Sequence, residues 1–82
     1  MDGNQLTTLK TAATRLDTAI TDYDSAYHSS GVSEDTLNKK LTERTNANTA
    51  FESAYQAYAD SMRAASQNPA SKASFVPHYN ML

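Results

Sequence analysis

Cysteine and tryptophan are both missing from this 82-residue chain, and glycine and proline occur only twice each. Without cysteine there is no disulfide scaffold, no thiolate metal site and no cysteine nucleophile. So few glycines and prolines leave little room for the turns of a β-rich fold. No apolar run approaches the ~20 residues of a membrane span. The opening Met1-Asp2-Gly3-Asn4 has neither the charge nor the apolar block of a signal peptide. An excess of charge is lacking too. Seven Lys and Arg against nine Asp and Glu leave a net charge of -2, which gives no electrostatic footprint for nucleic acid and no polybasic membrane patch.

What is present is periodicity. Leu6, Leu9, Ala13, Leu16, Ile20, Tyr23 and Tyr27 recur at alternating steps of three and four, a heptad stripe that predicts one amphipathic helix over residues 4–28. His28-Ser29-Ser30-Gly31 stops it, with a glycine suited to a left-handed closing residue and His28 placed to cap carbonyls. Ser33, followed by Glu34 and Asp35, suits the N-cap of a second helix. That helix is predicted over 34–66, with Leu37, Leu41, Phe51, Tyr55, Tyr58 and Met62 on its stripe and a polar interruption at Arg44 and Asn48. It should end before Asn68-Pro69, because the residue preceding proline avoids the α region. The short connection makes the two helices antiparallel neighbours. The fold class is therefore all-α, a hairpin of two long heptad helices in residues 1–66 with an extended C-terminal arm over 67–82.

Folding at Gly31 sets Tyr23 against Leu41, Ala13 against Phe51 and Leu9 against Tyr55, with Lys10 and Glu52 as a weak flanking pair. Ala12, Ala19 and Ala26 on one helix, and Ala47 and Ala54 on the other, form files of methyl groups that allow close approach, within the hairpin or to a neighbouring copy. Arg44 and Asn48 have two readings. Either they fix register at some cost in stability, with Asp17 as counter-ion, or Thr45 or Ala47 takes the inward position and Arg44 snorkels to water. Ten threonines, among them Thr7, Thr11, Thr14, Thr18 and Thr21, make a small neutral surface that neighbours can cover.

Catalytic patterns are not found in the sequence. His28 and His78 belong to no metal-binding spacing. Asp22 and Asp24 begin like a calcium loop, but no glycine or glutamate follows at the required positions. Gly3 and Gly31 are too far apart for a phosphate loop. Tyr23, Tyr27, Tyr55 and Tyr58 lack the interleaved basic residues of a stacking platform and read as core or interface. No enzyme activity, cofactor or metal is implied.

The tail is different. Phe75, Val76, Tyr79, Met81 and Leu82 crowd five apolar residues into eight positions, with Pro77 expected to keep the stretch extended. Apolar side chains at a chain end are costly in water. They either fold back onto the hairpin or dock on a partner.

The turn Tyr27-His28-Ser29-Ser30-Gly31 lacks the Trp-x-Gly of WXG-type secreted hairpins, and both prolines lie in the tail rather than in the turn, as type III needle subunits require. In size and pattern the chain resembles small helical building blocks of assemblies, including phage virion components. A body of this size buries little surface and needs a staple or a partner. The expectation is a non-enzymatic structural protein, a homo-oligomer or part of a virion or secretion-type complex, with a cytoplasmic or virion-associated location. A small regulator that binds one host protein is the rival.

Overall fold

A computed structural model describes residues 3–82; Met1 and Asp2, which carry part of the N-terminal reading, lie outside the described residues. Helix α1 spans Gly3–Tyr27 and α2 spans Glu34–Ala64. A single turn, α3, follows at Lys72–Phe75, and a 3-10 turn at Tyr79–Met81. The long helices pack antiparallel, with Gln5 bonded to Ser61 near one end and Arg15 to Glu43 further along. The result is an all-α hairpin, a rod of 51 × 17 × 14 Å.

The helix ends follow from local chemistry. Ser33 is extended and its hydroxyl accepts the Thr36 N–H at 3.1 Å, the N-cap of α2. At the end of α1, the Ser29 hydroxyl donates to the Ser25 carbonyl and His28 Nδ1 lies 2.8 Å from the Asp24 carbonyl. Side chains therefore satisfy the last carbonyls. Gly31, at φ +80, lies within the connection and does not close α1. Helix α2 ends two residues earlier than its pattern suggests. Ser66 adopts φ +58, Gln67 N–H donates to the Met62 carbonyl and Ser66 N–H to the Arg63 carbonyl, a Schellman closure built on serine instead of glycine.

The core runs along the middle of the rod. Leu9, Ala13, Leu16 and Ile20 meet Ala47, Phe51, Tyr58 and Ala59, all fully or almost fully buried. Leu6, Tyr55 and Met62 are half-buried against this core. Towards the turn the seam opens: Tyr23, Leu37 and Leu41 are half-buried, and Tyr27 is 64% exposed. The buried face there shifts onto Ala19 and Ala26. These methyl-sized residues admit α2 on their flank and leave Tyr27 outside.

Ala47 is the inward residue at the polar interruption and is fully buried, while Arg44 is half-buried and Thr45 exposed. Asn48 keeps its Oδ1 buried without a hydrogen-bond partner. Along the outer faces, Thr14, Thr21, Thr42 and Thr49 each donate their hydroxyl to the carbonyl four residues earlier, at 2.9–3.2 Å.

The arm is not extended throughout. Pro77 restricts only Val76, held at φ -124 and ψ 92. On either side of that residue the chain winds into single turns, the first with its Val76 N–H donating to the Lys72 carbonyl.

Candidate interaction surfaces

The arm lies along one flank of the α1–α2 seam and runs from the far end of the hairpin towards its turn. Two tyrosines fix its start. Tyr55 donates its hydroxyl to the Ala70 carbonyl at 2.7 Å, and the Ala70 N–H donates to the Tyr58 hydroxyl at 2.9 Å. Both backbone groups of one residue are thus held by neighbouring side chains of α2. Phe75 then packs edge-on against Tyr58, with ring centroids 5.3 Å apart.

The next anchor is Glu52, which accepts from Lys72 and from the Tyr79 hydroxyl. Partial burial pushes the Glu52 carboxyl up, but the hydrogen bonds from Lys72 and Tyr79 outweigh that and hold it below the usual range. The same bond to Glu52 raises Lys72 and, helped by burial, Tyr79. The flanking pair expected between Lys10 and Glu52 is replaced by this arrangement, because the returning arm brings a closer cation. Val76 is fully buried between the helices, and Tyr79 lies 6.0 Å from the Phe51 ring. The His78 N–H donates to Asp17 at 2.9 Å, and the His78 ring approaches the same carboxylate. Asp17 is therefore a partner of the arm and not of Arg44.

Of the five tail residues singled out as partner anchors, Val76 is buried in the hairpin's own core, and Phe75 and Tyr79 are packed against it. Met81 and Leu82 remain 42% and 44% exposed. Met81 reaches towards the turn, where a shallow pocket of about 290 Å³ is lined by Ile20, Tyr23, Asp24, Tyr27, His28, Arg44 and Met81. The Arg44 guanidinium lies 4.6 Å from the Tyr23 ring centroid, a cation–π contact. Tyr27 stacks obliquely on Tyr23 and edge-on with His28. A mixed lining, with Tyr23, Tyr27 and Met81 beside Asp24, His28 and Arg44, suits a protein side chain with one polar end. On the opposite flank from the arm lie two open hollows, one lined by Asn4, Gln5, Thr8, Ala54 and Ala57 and the other by Thr7, Thr8, Thr11, Ala12, Arg15 and Ala50. Of the alanine files, Ala19, Ala26 and Ala47 serve the hairpin itself, while Ala12 and Ala54 stay partly accessible.

Sequence reasoning did not identify Asp17 and Glu52, nor the hydroxyls of Tyr55 and Tyr58, as holders of the arm. The signal available was a pair of tyrosines on the stripe, whose hydroxyls need partners once their rings are covered. Among the described residues, no group of three or more His, Asp or Glu could hold a metal ion, and no helix is long and apolar enough to cross a membrane. Compared with models of known families, with curated proteins and with solved structures, the chain matches none.

Proposed function

We propose that this protein is a non-enzymatic structural element, a small helical building block that acts through protein–protein contacts within a larger assembly of the virion or secretion type. One observation carries the reading. Among the described residues the exposed large apolar side chains are Tyr27, Met81 and Leu82. Tyr27 and Met81 line one shallow pocket with the half-buried Tyr23 near the turn, and Leu82 follows Met81 in the chain. An apolar tip on a thin body is a contact surface, and a second copy presents the same surface.

Light scattering coupled to size-exclusion chromatography tests it. The wild-type protein should exceed its monomer mass of 8.9 kDa at micromolar concentration. A Tyr27→Ser, Leu82→Ser double variant should form smaller assemblies than wild type, with unchanged helical circular dichroism. A second reading, a small regulator that binds one host protein, is favoured by a single observation: the arm returns to its own hairpin and completes its core. A monodisperse wild-type monomer would select that reading.

A further inference from the structure

The segment between α2 and the arm has two conformations open to it. As it stands, Ser66 is left-handed, the one non-glycine residue with positive φ among the described residues, a conformation that crowds a Cβ against the following carbonyl oxygen. Nothing in the sequence demands the stop there. Ala64, Ala65, Ser66 and Gln67 all tolerate a helix, and the first residue that proline disfavours is Asn68. Rewinding this stretch into α2 removes the left-handed residue and carries the arm off its own hairpin, onward along the α2 axis. Residues 65–68 are all exposed, so the rewinding disturbs no packing of the hinge residues themselves.

An arm so released needs a groove. Val76 is fully buried and Phe75 and Tyr79 are half-buried in the closed form, and exposing them is unfavourable. A second copy offers the same groove with the same Glu52, Tyr55, Tyr58 and Asp17. None of these anchors touches the hinge, so each bond forms equally well between chains. We infer that residues 70–82 exchange between two copies of this chain, with α2 extended through Ser66 and each arm seated in the partner copy's groove. The two rods meet at their non-turn ends about a two-fold axis, and the apolar tips remain free at opposite ends. This exchange rests on the self-association proposed above and adds to the tip a second contact between copies.

A charge reversal tests it with full-length chains. In Glu52→Lys the groove and arm both carry lysine, and in Lys72→Glu both carry glutamate. Each is mismatched within itself, but in a mixed exchanged pair both latches are complementary. After co-refolding equal amounts, native mass spectrometry should find mixed dimers well above the statistical proportion. Independently, Ser66→Gly, which favours the left-handed residue and weakens the helix, should lower dimer formation about tenfold per hinge, and Ser66→Ala should raise it. Dimers that mix only statistically, with no response to either Ser66 variant, would mean association by another surface and overturn the exchange alone. Monomers in every sample, wild type included, overturn both the exchange and the self-association beneath it. If either charge variant fails to fold, the Ser66 pair decides by itself.

Discussion

The carboxylate of Asp17 accepts the backbone N–H of His78 at 2.9 Å, joining residues 61 positions apart. It also lies 3.0 Å from His78 Nδ1, an approach that is a hydrogen bond when that nitrogen carries the proton. One side chain on α1 thereby fixes the end of an arm whose start is fixed by α2, and the arm becomes a third element of the fold.

Asp17→Ala should cost about 1 kcal/mol and lower the melting temperature by roughly 4–8 °C for a domain of this size. Asp17→Asn should cost less, because an amide oxygen still accepts the His78 N–H. Thermal unfolding followed by circular dichroism checks the order. An equal loss in both variants would mean that charge, and not the backbone bond, holds the arm.

The arm should be acid- and alkali-sensitive. Glu52 titrates below its ordinary 4.5 in the folded protein, so its contribution is complete above that value and is lost as pH falls further. Lys72 and Tyr79 titrate above their ordinary 10.5 and 10.0. Their contribution is complete below pH 10.0 and is lost as pH rises through the raised values. The lysine and glutamate side chains are 37% and 33% exposed, so screening limits the pair to about 1 kcal/mol or less. Proteolysis within residues 65–82 should therefore be slowest between the two limits, and a protection profile flat from pH 3 to 11 would contradict this.

Val76→Ala should destabilise the whole molecule by about 1.5–3 kcal/mol, since it removes buried methyl groups and leaves a cavity. Phe51→Ala, in the middle of the seam, should cost about 3–5 kcal/mol and leave little folded protein. Urea unfolding separates the two. A Val76→Ala protein as stable as wild type would show that the arm adds nothing to the core.

Asn48→Ala should stabilise the hairpin by about 1 kcal/mol, through better helix propensity and removal of a buried oxygen that lacks a partner. Loss of stability in the same urea measurement would show instead that Asn48 fixes the register of the two helices.

How much of this was legible in the sequence follows a physical divide. Short-range signals read well: the Ser33 cap, the His28 closure, both helical spans and the central seam from Leu9 to Ile20 all depend on neighbours within a turn or two. The arm read poorly. Its partners Asp17 and Glu52 lie far away in sequence, and a lone carboxylate on a helix flank looks like any solvated one. The nominal pair of Lys10 with Glu52 assumed two helices only, whereas a third segment changes every flank it covers. Ser66 was invisible for another reason, since serine carries no glycine-like signal for a left-handed turn. The candidate site divides in the same way. The five apolar tail residues look alike in the sequence, and Val76 could be assigned to the core, apart from the exposed Met81 and Leu82, only once the groove existed.

The back-bonded threonines have a consequence for how the rod meets its surroundings. A hydroxyl already engaged by Thr14, Thr21, Thr42 or Thr49 with its own helix has less left to offer solvent. The mean hydropathy of -0.64 therefore overstates how strongly these sides are hydrated. To an approaching molecule they present methyl groups whose drying carries a smaller penalty than a count of polar letters implies.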